Sequence, residues 1–159
     1  MARDGEVTAK LRVGIVGVSG YGGSELLRLC TAHPALEMAY AGADRSAGAK
    51  LRERFPALAG RPAGEIVIQR FVPEEIRDLE LLFVSLPTGV SRELLARLPA
   101  ALRVVDIGGD HRFVEGWTYG LTELPGQRAK IAATRRLANP GCFPTTACRS
   151  NSARRCWRK

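Results

Sequence analysis

The sequence predicts a doubly wound parallel α/β sheet, and three observations predict it. Short apolar runs rich in β-branched residues alternate with segments of helical spacing. Glycines crowd the turn between the first such run and the first helical segment. The chain has 159 residues, 45% of them hydrophobic and 25% charged, which suits one ordinary globular domain.

The elements follow in order. Residues 11–17, LRVGIVG, read as a buried strand. Ser24 to Ala32 carries Leu26, Leu27, Leu29 and Cys30 at helical spacing, and His33-Pro34 ends that helix. Leu36 to Ala43 is a second strand. Residues 44–64 are rich in Gly, Ala, Pro and Arg and read as loop with one short helix. Ile66 to Phe71 reads as a third strand, and Leu79 to Leu86 as a buried strand closed by Pro87. Gly89 to Leu98 places Val90, Leu94, Leu95 and Leu98 on one helical face. Leu102 to Ile107 is a further strand. Beyond Gly108 the pattern is irregular, with a short strand near Ile131 to Ala133. Strand-helix-strand crossovers are right-handed in about 98% of cases, so a doubly wound sheet is the natural outcome. Residues 1–10 are expected to form a terminal tail, 11–147 the domain, and 148–159 a basic, disordered end.

Bulk properties exclude several classes. No stretch reaches the roughly 20 apolar residues of a membrane span. Met1 to Lys10 lacks the apolar segment of a secretory signal. Cys30, Cys142, Cys148 and Cys156 form no CxxC pair, which argues against a disulfide scaffold or a zinc site. A reducing, cytoplasmic setting fits, and no metal is expected. The net charge of +8 invites a nucleic-acid reading, but five of the positive charges lie in the last twelve residues, CRSNSARRCWRK. Few aromatics and no recognition motif leave that reading weakest.

The segment from Gly14 to Gly23, GIVGVSGYGG, lies between strand and helix. Gly17 and Gly20 let the backbone turn sharply and approach a phosphate. A helix starting there offers free N–H groups and its positive dipole end to a pyrophosphate. Gly17, Ser19, Gly20, Tyr21, Gly22 and Gly23 are therefore candidate cofactor contacts in a Rossmann-like domain. The spacing is GxxGxxG rather than the GxGxxG of the usual fingerprint, and a tight turn without a ligand is the alternative. The second strand runs into Asp44-Arg45-Ser46. An acid there suits the ribose hydroxyls of NAD, whereas Arg45 and Ser46 suit the 2′-phosphate of NADP. The balance favours NADP, with solvated loop residues as the competing reading.

Asn139-Pro140-Gly141-Cys142-Phe143-Pro144-Thr145 is the second constellation. It is a rigid turn that can present the Cys142 thiol. A helix starting after Pro144 would set positive dipole character beside the sulfur, which favours the nucleophilic thiolate. A lone cysteine is more often a small buried hydrophobe.

With these two motifs stand Leu86-Pro87-Thr88-Gly89-Val90-Ser91, Val105 to Arg112 (VDIGGDHR) and Tyr119-Gly120-Leu121-Thr122-Glu123-Leu124. In that order they resemble the N-acetyl-gamma-glutamyl-phosphate reductases, relatives of aspartate-semialdehyde dehydrogenase. The resemblance implies a small-molecule acyl-phosphate substrate, attack by Cys142 to form a thioester, loss of phosphate and hydride transfer from NADPH. The aminoadipate homologue in lysine biosynthesis is the alternative substrate. An inactive NADP-binding fragment is the alternative role. Arg112 is a candidate for pairing with a substrate carboxylate or phosphate. The competing reading makes Asp110 and Arg112 a structural ion pair. His111 stands where the family has an aromatic residue and receives no chemical role.

The resemblance also implies a second catalytic and dimerisation domain, through which full-length relatives associate as homo-oligomers. That domain also carries a general-base histidine. No matching position follows His111. The change to Arg/Cys/Trp-rich sequence after Ala147 is expected to reflect a reading-frame shift and to disrupt the helix after Pro144. On this reading the chain stops before its catalytic site is complete.

Overall fold

The computed structural model describes residues 9–149. Six strands form one parallel sheet: β1 (Leu11–Val16), β2 (Leu36–Gly42), β3 (Leu81–Val84), β4 (Arg103–Asp106), β5 (Thr118–Tyr119) and β6 (Arg136–Ala138). Their spatial order is β2-β1-β3-β4-β6-β5. The chain starts in the interior of the sheet, steps out to β2, then crosses back to β3, so a topological switch point lies between β1 and β3. The helices are α1 (Tyr21–Ala32), α2 (Leu51–Arg54), α3 (Ser91–Ala96), α4 (Gln127–Ala133) and α5 (Cys142–Arg149).

Both faces of the sheet are covered, which is why its strands read as continuous apolar runs. On one face Val13, Ile15, Leu27, Cys30, Met38, Leu51 and Ile68 pack together. On the other Val16, Leu82, Val84, Leu95, Leu98 and Val104 do so. Leu82, Val84, Val13 and Ile15 are completely buried. Cys30 belongs to this core, and burial pushes its thiol pKa up. His33 closes α1 as expected, with its N–H on the Cys30 carbonyl.

Several expectations need correction. Residues 66–71 are not a strand. Their burial alternates as a strand's would, with Ile68 buried and Val67 and Gln69 exposed. Their hydrogen bonds divide, however, between a parallel bridge to Gly42 and an antiparallel bridge to Lys50, so no ladder propagates. Residues 131–133 belong to helix α4, because Gln127 to Ala133 is a run of good helix formers behind Gly126 at φ +72°. The strand expected there lies at Arg136–Ala138 instead. Two-residue β5 is too short to show a period. Helix α1 starts at Tyr21 rather than Ser24, and α3 is confined to Ser91–Ala96.

Helix α5 begins at Cys142 rather than after Pro144 and continues to Arg149. Pro144 sits in its first turn, where a missing N–H costs nothing. Cys148 and Arg149, expected in the disordered end, are instead the last residues of α5, so the helix expected to be disrupted after Pro144 runs on through them. From residue 150 onward that expectation lies outside the described residues.

Candidate functional site

In a parallel sheet the loop after each strand leaves from the same edge. Here that edge collects residues 17–23 after β1, 43–46 after β2, 85–91 after β3, 107–112 after β4 and 139–142 after β6. Ligands of such sheets bind outside the carboxyl ends of the strands at the switch point. A cleft of about 560 Å³ opens there, lined by Gly17, Ser19, Gly20, Asp44, Arg45, Arg70, Phe71, Leu86, Val90 and Leu94 among others.

The glycines of the turn divide by cause. Gly17 has φ +81°, and a Cβ built on it would lie 2.1 Å from the Ser85 carbonyl oxygen. A Cβ on Gly23 would lie 2.0 Å from the Gly17 carbonyl oxygen. One on Gly22 would meet only the Ser85 side chain, 2.6 Å from its hydroxyl. The fold itself requires Gly17 and Gly23. Gly20 is different. It has ordinary extended geometry (φ −81°, ψ 166°), and its Cβ would meet nothing closer than 3.4 Å. Its missing side chain leaves space on the cleft side, in front of a helix N-terminus that no side chain caps. That is the space a pyrophosphate needs, so these residues fit a dinucleotide.

Arg45 is exposed and lines the cleft. Ser46 is buried, and its hydroxyl lies 2.5 Å from that of Ser19. Asp44 stands 3.7 Å from Arg70. Tyr21 is 98% exposed, so its ring has no packing role in the chain.

The other half of the edge is organised by Asp106, at the end of β4 and fully buried. Its Oδ1 accepts from the Gly108 N–H at 2.9 Å. Its Oδ2 lies 2.6 Å from Nδ1 of His111 and 3.4 Å from the Ser91 hydroxyl. Its carbonyl accepts the Asn139 N–H at 2.7 Å. His111 is buried and stacks on Trp117 at 4.0 Å. A buried carboxylate costs several kcal/mol to desolvate, and these donors offset that cost.

Asp110 and Arg112 do not form the ion pair that one reading expected. Asp110 caps α3, accepting from the N–H groups of Gly89 (2.8 Å) and Ser91 (3.1 Å) and from the Ser91 hydroxyl (2.8 Å). The Gly89 N–H is the largest cause that holds the Asp110 carboxyl pKa low, followed in the same direction by the Ser91 bonds. Arg112 turns the other way. Its Nε donates to the Asn139 carbonyl at 3.2 Å, and its guanidinium covers Gly141, where a Cβ would lie 2.5 Å from Nη1.

Gly141 precedes Cys142, the exposed first residue of α5. The Thr145 N–H and hydroxyl both bond the Gly141 carbonyl, at 3.1 and 2.8 Å, and anchor that first turn. The fold therefore brings Arg112 beside the cysteine motif. Sequence reasoning missed Asp106, His111 and Ser91 as organisers. Their position at or just beyond strand ends was the available signal.

Residues 12–133 match the family described as semialdehyde dehydrogenase, NAD binding domain. N-acetyl-gamma-glutamyl-phosphate reductase of Bradyrhizobium sp. strain BTAi1 is 51% identical over 137 residues, which are 86% of this chain and 41% of that protein. The protein of the same name from Methylobacterium sp. strain 4-46 is 52% identical over 134 residues, 84% of this chain and 40% of that protein. The chain thus spans about 41% of the length of the curated relatives it matches. Among solved structures, aspartate semialdehyde dehydrogenase II of Vibrio cholerae, complexed with ASA, superposes with TM-score 0.68 at 18% identity. The match covers 87% of this chain and 44% of that one. Aspartate semialdehyde dehydrogenase with NADP from Candida albicans gives TM-score 0.61 at 23% identity, covering 71% and 34%. The fold is shared with these enzymes. Among the described residues no helix is long and apolar enough to cross a membrane.

Two outcomes follow from this geometry. Gly17→Ala should destabilise the fold in urea unfolding, since the left-handed conformation alone costs about 1–2 kcal/mol before any clash. Gly20→Ala should leave stability within about 0.5 kcal/mol yet weaken nicotinamide dinucleotide binding. Equal stability loss in both would contradict the division of causes.

Asp110 gives a pH signature. Its folded pKa lies below the unfolded value, so its contribution is present above about pH 4 and is lost as pH falls through the folded value. The stability gap between wild type and Asp110→Asn should be constant near neutrality and shrink under acid. A gap that does not change with pH would count against the cap.

Proposed function

The chain belongs to the semialdehyde dehydrogenase NAD-binding domain family, and from that premise we propose that it serves the reductive dephosphorylation of N-acetyl-glutamyl 5-phosphate to the 5-semialdehyde, with NADP as cofactor. The observation that carries this reading is the placement of Cys142. It is exposed at the start of α5, on the same sheet edge as the dinucleotide cleft, with Arg112 covering the residue before it.

Each group has a role in this reading. Gly17, Gly20, Gly22 and Gly23 with the first turn of α1 hold the pyrophosphate, and Ser19 and Tyr21 flank it. Arg45 and Ser46 bind the ribose 2′-phosphate. The Cys142 thiolate attacks the acyl carbon, the carbon–oxygen bond to phosphate breaks, and a thioester remains on the sulfur. Arg112 offers a planar fork to the substrate phosphate or carboxylate. NADPH held in the cleft would supply the hydride that converts the thioester to aldehyde, with the Cys142 thiolate as leaving group. The nucleophile moves the acyl group from phosphate to a sulfur fixed on the enzyme, so phosphate can leave before hydride transfer.

Two measurements test the reading. Arg45→Ala should weaken NADP by on the order of 1.5–3 kcal/mol, the range for a hydrogen bond to a charged group, and weaken NAD far less. In the reverse direction, any NADPH that the chain forms from the semialdehyde and NADP should require phosphate. Cys142→Ser should abolish that signal. NADPH formation without phosphate, or an unchanged rate in the serine variant, would overturn the mechanism.

A further inference from the structure

The cofactor cleft does not end at the glycine-rich turn. Ser19 and Gly20 line it on one side, and the same two residues line a second hollow of about 460 Å³. The rest of that hollow is formed by Tyr21, Ser24, Arg54 and Phe55. Ser19 belongs to both walls, and its hydroxyl bonds that of Ser46. Arg45 lines the first hollow and Arg54 the second, and Ser19 belongs to both.

Arg54 is fixed in place by its helix. Leu51 at the start of α2 is completely buried, and its N–H bonds the Ile66 carbonyl at 2.9 Å. The Phe55 N–H bonds the Leu51 carbonyl at 2.8 Å. The neighbouring cations are already engaged, since Lys50 and Arg52 both pair with Glu65. Among the described residues Arg54 has no acidic partner and no hydrogen bond. It is an exposed arginine at the end of a short helix, lining a hollow that shares Ser19 and Gly20 with the dinucleotide cleft.

A phosphate monoester carries about −1.5 to −2 charges near neutrality, more than one arginine balances. We propose that Arg54 is a second cation of the ribose 2′-phosphate subsite, opposite Arg45, and so a specificity-determining residue for NADP over NAD. This rests on the reading of the cleft as an NADP site. It adds a contact from residues 47–64, which otherwise have no part in binding.

The test titrates NADPH and NADH against the full chain, wild type and three variants, with thermal midpoints recorded alongside. Arg54→Gln should weaken NADPH about tenfold, the low end for a charge-assisted bond, and NADH less than twofold. Arg54→Lys, which keeps the charge, should recover most of the NADPH affinity. Arg45→Ala separates the role of Arg54 from the NADP site itself. Selective NADPH loss in Arg45→Ala but not in Arg54→Gln overturns the role of Arg54 and leaves the NADP reading standing. Equal NADPH and NADH losses in Arg54→Gln, or identical behaviour of the Gln and Lys variants, also overturn it. Wild type that binds NADH as tightly as NADPH overturns both readings.

Discussion

The backbone of Gly17 lies against the Ser85 carbonyl and the backbone of Gly23, with no space for a methyl group at either glycine. That contact ties β1, α1 and the end of β3 into one rigid corner. The corner sets where the first turn of α1 points and how close it stands to the neighbouring strand. The cleft at the switch point is the space left over once this packing is satisfied, and Gly20, which the fold does not require, keeps it open. Binding capacity and packing are thus separable within one run of glycines, because each missing Cβ has a different neighbour.

Asp106 does for the other half of the edge what Gly17 does for the first. Its carboxylate and carbonyl reach Gly108, Ser91, His111 and Asn139, which belong to three different loops. A carboxylate buried this deeply is tolerated only while those donors remain in place. The positions of Arg112 and Cys142 depend on it at one remove, through Asn139 and the turn that follows.

Much of this was legible in the sequence, and the reasons are local. β1, β2, β3 and β4 are dense apolar runs buried on both faces, so their period did not need to be resolved. Gly17 and Cys142 sit in motifs whose neighbours fix the backbone. The losses also have physical causes. Residues 66–71 alternate like a strand but divide their hydrogen bonds between two partners, which no side-chain pattern reveals. Ile131 to Ala133 looks apolar enough for a strand, yet the alanine, lysine and glutamine around it favour α4. The Asp110–Arg112 pair looked plausible from spacing alone. Asp110 instead accepts from the N–H groups of Gly89 and Ser91, at and just before the start of α3 and nineteen or more residues away. His111 received no role because it stands where the family has an aromatic residue; the structure stacks it on Trp117 and sets its Nδ1 2.6 Å from Asp106.

The central claim is that one sheet edge holds both the dinucleotide and the Cys142 thiol. The most direct measurement is the rate at which iodoacetamide alkylates Cys142, located by peptide mass, with and without saturating NADPH. Bound NADPH should slow alkylation of Cys142 while leaving that of free glutathione, added as a reference thiol, unchanged. An unchanged Cys142 rate at saturation would place the cofactor and the cysteine in separate sites and contradict the account.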